Sequence, residues 1–222
     1  MSANTPEQAE PNTSETPAPQ VEVPGPQRVP GLRLVRLDRT TPEVALLREV
    51  LPRHRVAPDQ KRFVTEAVHT LPRADEDPER HPYAVVRNDV PLTDRSAVLD
   101  ACVGFGIIDR RLPVLRDLVE DPHQAVLLRA FYVTPEHQGQ GVGRAACTAP
   151  LLDLLVAAIA PEATRIVLCV SEGNEAGERT YRSAGFTPTG RRHDAGDQGV
   201  QNVFARPVET GYHPVPQLPE PR

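Results

Sequence analysis

One segment constrains the fold more than any other. Residues 125–133, AVLLRAFYV, are apolar apart from Arg129 and read as a buried strand. Thr134-Pro135-Glu136-His137-Gln138 then turns the chain, Gly139, Gly141 and Gly143 alternate with Gln140 and Val142, and an Ala/Leu-rich run follows from Gly141 to Ala160. A strand that passes through glycines straight into a helix belongs to an α/β fold. Glycine lets the backbone turn tightly and lets a ligand approach the amides with no Cβ in the way. The first amides of the following helix have no intrahelical partner and sit at its positive end. Together these features suit an anion, phosphate above all. A plain strand–helix connection that needs flexible residues has the same appearance. The spacing rejects two nucleotide loops. A Walker A loop needs a Lys that is missing here, and a dinucleotide fingerprint needs G-x-G-x-x-G early in a βαβ unit.

Around this unit the chain reads as alternating elements. Residues 32–37, LRLVRL, form a strand. Thr41 caps a helix that has Pro42 at its first position and Ala45, Leu46, Leu47 and Val50 on its apolar side. A second helix is predicted after Pro58-Asp59, carrying Phe63, Val64, Ala67, Val68 and Leu71. Strands are predicted at residues 83–86 and 98–108, joined as a hairpin with a long loop. Residues 113–122 read as loop with one helical turn. The helix from Gly141 to Ala160 should bend at Pro150. RIVLCVS, residues 165–171, reads as a strand buried on both faces. Residues 174–183 form a helix and 202–205 a last strand. The order is therefore strand, two helices, three strands, helix, strand, helix, then one or two strands. That is a mixed α/β sheet of six to seven strands with helices on both faces.

Composition sets the boundaries. Residues 1–30 hold seven prolines and four glutamates against one arginine, and residues 208–222 hold four more prolines. Neither can bury enough apolar area to offset its ordering entropy, so both read as disordered or extended. Residues 31–207 make one domain. A net charge of −5, no Trp and 4% aromatic residues argue against nucleic acid. No apolar run approaches the ~20 residues that span a bilayer, and the start MSANTPEQAE lacks the features of a signal peptide. Cys102, Cys147 and Cys169 form no CxxC pair, and the seven histidines show no ligand spacing, so neither a disulfide scaffold nor a metal is expected. A soluble cytoplasmic protein is expected, with a homodimer left open.

Gln138-Gly139-Gln140-Gly141-Val142-Gly143 resembles motif A, Q/R-x-x-G-x-G/A, of the GCN5-related N-acetyltransferases. A second match follows. After RIVLCVS come Asn174, Tyr181 seven residues later, and Gly185-Phe186, in the family's order. The resemblance covers residues 31–207 and is closest over 125–187. It implies the fold of that family and acetyl-CoA as acetyl donor. It implies that the loop from Gln138 through Gly139, Gln140, Gly141, Val142 and Gly143 to Arg144 holds the pyrophosphate. It implies that the strand end Phe131-Tyr132-Val133 pairs with the pantetheine arm and offers a backbone N–H to the oxyanion. Asn174 would bond the arm, or cap its helix, or both. Tyr181 would protonate the thiolate; otherwise it is a packing aromatic. Gly177 departs from the family's usual Ala.

The general base is not apparent. The family's two usual carboxylate positions are Leu127 and Cys169 here. Glu172, Asp109, Glu136 or a water chain are the replacements, each carboxylate also reading as a solvated surface charge. Cys169 reads as a small buried apolar residue rather than a nucleophile. Arg129 either faces the cleft, holding a carboxylate, or pairs within the domain. Specificity should come from about residues 51–81, where the acidic stretch Arg73 to Glu79 either attracts a cationic amine or is a solvated loop. The leading expectation is an N-acetyltransferase for a small primary amine, polyamine-like or other. Its rivals are acetylation of a protein N-terminus or lysine, and a weakly catalytic acyl-CoA-binding module.

Overall fold

Alternating apolar residues in the strands decide how the layers assemble. The structure, a computed structural model, describes residues 1, 31–90, 92, 94–196 and 199–209. The elements are β1 (Leu32–Arg36), α1 (Pro42–Val50), α2 (Ala67–Asp75), β2 (Arg80–Arg87), α3 (Arg95–Ala101), β3 (Cys102–Asp109), α4 (Leu112–Leu118), β4 (Ala125–Val133), α5 (Val142–Cys147), α6 (Leu151–Ile159), β5 (Arg165–Ser171), α7 (Glu175–Ser183), β6 (Thr187–Asp194) and β7 (Val200–Pro207). They form one seven-stranded sheet in the order β1-β2-β3-β4-β5-β7-β6. Only β4 and β5 are parallel neighbours.

Tyr83, Val85, Val126, Leu128, Ile166 and Leu168 point to one face, where α5, α6 and the end of α7 cover them. Their neighbours point to the other. There Ala84, Val86, Phe105 and Ile107 pack under α1, α2 and α3, and Leu127, Val167 and Val203 pack under α4. Helices thus cover both faces, as the pattern predicted. The second face carries two separate clusters, and the gap between them becomes one half of the site.

The elements differ from the sequence reading at four places. The second helix begins at Ala67, not after Asp59, so Phe63 and Val64 lie in an irregular segment before it. The predicted strand at 98–108 begins at Cys102. Before it, Asp94 accepts hydrogen bonds from the Ser96 and Ala97 amides and starts α3, which buries Val98 and Ala101 at helical spacing. The single predicted turn after Pro113 is a seven-residue helix, α4, with Leu115 and Leu118 inward. The long helix is divided rather than bent at Pro150, which has no N–H to continue the ladder. Residues 142–159 have a mean hydropathy of 1.6; they are core helices, burying Val142, Cys147, Leu152 and Val156. The proline-rich tails fall almost wholly outside the described residues.

Candidate active site

The sheet is split along its middle. β4 and β5 pair only over Ala125–Arg165, Val126–Ile166 and Leu127–Val167, then separate. Beyond Leu127 the β5-facing edge of β4 has no strand beside it. Opposite, one extra residue enters β4, so Ala130 and Phe131 together face Gly106 of β3. This bulge puts Ala130 at φ +50, a left-handed conformation rare for a residue with a Cβ. Bulges of this kind gather beside active sites, where they re-aim the chain. Gly106 leaves no choice on the far side, since a Cβ there would lie 2.5 Å from the Tyr83 hydroxyl.

The opening between β4 and β5 forms a cavity of about 1020 Å³ that reaches both faces of the sheet. On the α5–α7 face its wall includes Gly139, Gly143, Asn174, Gly177, Thr180 and Tyr181. Gly139 (φ +72) and Gly141 (φ +79) adopt left-handed backbone, and a Cβ on Gly139 would meet nothing within 4 Å. The loop therefore presents bare backbone to open space. Gly143 is different: a Cβ would come 3.1 Å from Thr180 Cγ2, because α5 and α7 approach there. Side chains within the loop hold its shape. Gln138 Nε2 donates to Val133 O (2.9 Å) and to Gln60 Oε1 (3.0 Å), and Gln140 Nε2 donates to Glu136 O (2.7 Å). Arg144 is exposed, without an ion pair among the described residues.

β4 ends at Val133, as the sequence pattern predicts. Thr134 N–H donates to Val103 O of β3. Peptide groups alternate sides along a strand, so Val133 N–H faces the cleft. The Phe131 ring packs beside Tyr181, 6.4 Å between centroids. The Tyr132 ring turns to the opposite core, beside Phe105 and His54. Val142 is buried in the core, so only its backbone is available to a ligand.

Asn174 Oδ1 accepts from the Gly177 amide (3.0 Å) and caps α7. The same geometry explains Gly177, where a Cβ would lie 2.6 Å from Asn174 Nδ2. Tyr181 stands between Phe131 and Phe186 on the cleft wall. Burial pushes its phenol well above the usual range, so it stays protonated at neutral pH.

The three carboxylates considered for the base do not fit that role. Asp109 is 0% exposed and clamped by Arg111 (Nη2–Oδ2 2.8 Å), Arg129 (Nη1–Oδ2 3.0 Å) and Arg80 (Nε–Oδ2 3.8 Å). Burial would raise its pKa, but these bonds outweigh burial and lower it. Glu172 is exposed and pairs with Arg192. Glu136 is exposed and does not line the cleft. Burial pushes the Cys169 thiol up to about 11, which keeps it protonated. The carboxylate that does line the cleft is Asp117 of α4, on the face away from the glycine loop. It escaped the sequence reading because its helix did. Arg129 lines the cleft and also pairs with Asp109.

Of residues 73–79, only Arg73 lines the cleft. Asp75 pairs with Arg48, and Asp77 with Arg80 and Arg111. No group of three His, Cys, Asp or Glu side chains able to hold a metal occurs among the described residues.

Known proteins share this architecture. The model of the Acetyltransferase (GNAT) family matches residues 46–186. No curated protein sequence matches the chain significantly. Among solved structures, the chain is similar to the aminoglycoside acetyltransferase AAC(6')-Ib in complex with coenzyme A and kanamycin. The two are 18% identical with a TM-score of 0.53, over 80% of this chain and 95% of the other. It is also similar to spermidine N-acetyltransferase from Vibrio cholerae in complex with CoA and spermine. Here identity is 14% and the TM-score 0.50, over 80% and 95% of the two chains.

Proposed function

Because the chain belongs to the acetyltransferase (GNAT) family, and so uses acetyl-CoA to acetylate an amine, we propose that its acceptor is a primary amine of a small molecule. The observation that carries this reading is the cavity through the sheet. Its volume of about 1020 Å³ reaches the upper end of small-molecule sites, as befits donor and acceptor meeting in one cleft. The kanamycin and spermine held by the two structural neighbours are small amines too.

The residues present fit the donor. Gly139 offers a bare backbone next to open space, Gly141 shares its left-handed conformation, and Arg144 lies beside them to balance phosphate charge. The edge of β4 beyond Leu127 offers peptide groups for an extended arm to pair with. Asn174 Oδ1 is committed to its cap, which leaves the Nδ2 side of the amide for the arm. Acetyl-CoA supplies the thioester carbonyl and the thiolate leaving group. Val133 N–H faces the side where negative charge develops on the carbonyl oxygen. Tyr181 is protonated at neutral pH and stands on the cleft wall, where it can hydrogen-bond the departing thiolate and give it the proton. Asp117 lines the acceptor half and takes the proton that the ammonium must lose before it can attack.

Coenzyme A release tests the reading directly, with small amines, aminoglycosides and lysine-bearing peptides offered in parallel. Small amines are expected to be turned over and peptides not. Turnover of peptides alone would move the acceptor to proteins. No release with any acceptor, despite acetyl-CoA binding, would favour the binding-module reading.

A further inference from the structure

The acceptor half of the cleft carries more positive charge than the domain neutralises. Arg129 uses Nη1 on Asp109; its Nε and Nη2 make no hydrogen bond among the described residues, and its side chain is 42% exposed. Arg73 of α2 lines the same cavity with no ion pair among the described residues. Arg80 completes the row. Its Nη1 donates to Arg73 O (3.1 Å), and its Nε is buried without a hydrogen bond, although Asp77 and Asp109 lie within ion-pair distance. Beneath them, Asp77 and Asp109 are shared with Arg111 as well. The one carboxylate among the residues that line the cavity is Asp117, on α4.

These side chains share one face. Arg129 is opposite Ile107, which points into the α1–α3 cluster, and Arg80 has the parity of Ala84 and Val86 on β2. The glycine loop, Asn174 and Tyr181 lie on the other face. The surplus cation is thus separated from the place where the donor's pyrophosphate is held. A polycation would meet arginines there, and like charges brought together in a cleft cost binding energy.

We propose that the acceptor is an amine that also carries a carboxylate, of the amino-acid type, with Arg129 and Arg73 receiving the carboxylate while Asp117 faces the ammonium group. The proposal rests on the acetyl-transfer reading for its reaction, and on the charge layout alone for its ligand. A planar guanidinium with two unused donors matches a carboxylate by the fork geometry that makes arginine the usual partner. The arginines and the one carboxylate that line the cavity match the two ends of a zwitterion. The new contacts are hydrogen bonds to an ionised group, and no covalent step is added.

The test pairs each of a set of L-amino acids with its own carboxamide, alongside spermidine and kanamycin, in the coenzyme A release assay. At least one amino acid should exceed its amide in kcat/KM by roughly 10- to 100-fold, the span of a hydrogen bond to a charged partner. Arg129→Gln should erase that preference by raising the KM for the acid, with the KM for acetyl-CoA unchanged. Arg73→Gln, on an exposed side chain, should lower the preference in the same direction without affecting folding. Equal or better use of amides, spermidine or kanamycin by the wild type would overturn the proposal. So would an amino-acid preference that survives both substitutions. Calorimetric titration of the same amino acids into the protein separates the two readings. Binding that Arg129→Gln abolishes, with no coenzyme A release from any amine, would leave the carboxylate site standing and sink the transfer reading. Neither binding nor turnover of any amino acid would sink the carboxylate site.

Discussion

Tyr181 shows what a single residue can reveal. Its type, its helix and its seven-residue distance from Asn174 were all legible, because a capped helix fixes that geometry locally. Tyr181→Phe should lower kcat by roughly 10²–10⁴-fold, the span of general acid catalysis. Acetyl-CoA affinity should hardly change, because the ring still packs on Phe131 and Phe186. A phenylalanine variant with wild-type kcat would take Tyr181 out of the mechanism. Asp117 and Arg73 were not legible as cleft-lining residues, since only the tertiary fold brings α4 and α2 to one cavity. His54 was equally silent in sequence. It is 5% exposed, with Nδ1 3.4 Å from the Tyr132 hydroxyl. Burial, partly offset by the neighbouring Cys102 backbone and by the Glu136 charge, takes its pKa from 6.5 to about 4. Between those values the unfolded chain binds a proton that the folded chain refuses. Stability is therefore complete above pH 6.5 and falls as pH drops toward 4, by about 3 kcal/mol for such a shift. Urea unfolding at pH 7 and pH 4.5 should show this loss in the wild type and a smaller one in His54→Gln. Equal losses in both would mean that His54 is protonated in the folded protein.

At the scale of elements, strands and the glycine connection were legible because their signals are local. AVLLRAFYV and RIVLCVS are too apolar to lie anywhere but the sheet centre. The run from Val98 to Ile108 misled because apolar residues serve a buried helix as well as a strand. Its sorting signal was Asp94, whose carboxylate holds two amides of the first turn of α3. Another contact no periodicity discloses is the buried pair of Arg206 on β7 and Asp153 on α6, joined at 2.9 and 2.7 Å. The same arginine donates to Cys147 O at the end of α5, and Asp153 also accepts from the Glu209 amide. Three elements thus meet on one charge pair that water cannot rescue. Removing one partner of such a pair costs about 3–5 kcal/mol, mostly by stranding the other charge. Asp153→Asn should lose stability on that scale in urea. The double variant Asp153→Leu with Arg206→Leu should lose less than the sum of the two single changes. Strict additivity would show that the two residues act separately.

For the whole molecule, the sheet is two half-sheets held at a narrow waist. β1–β4 and β5–β7 share three residue pairs before they part, and α5 and α6 lie across both beneath them. A ligand that fills the opening adds backbone pairing where the sheet has none, and so binds the native state and not the unfolded one. At 100 times its Kd it should stabilise the fold by about 2.7 kcal/mol. For a domain of this size that corresponds to a rise of roughly 5–10 °C in Tm. Acetyl-CoA should give this shift in the wild type and equally in Tyr181→Phe, which keeps every binding contact. Gly139→Asp is the discriminating variant. Gly139 has φ +72, a conformation aspartate tolerates better than most residues, and open space where its side chain would go. The unliganded protein should melt close to the wild type. The added carboxylate would stand where the pyrophosphate belongs, and its charge should remove most of the shift. A full shift in Gly139→Asp would place the pyrophosphate somewhere other than this loop. No shift in the wild type at millimolar acetyl-CoA would mean that the opening in the sheet is not the donor site.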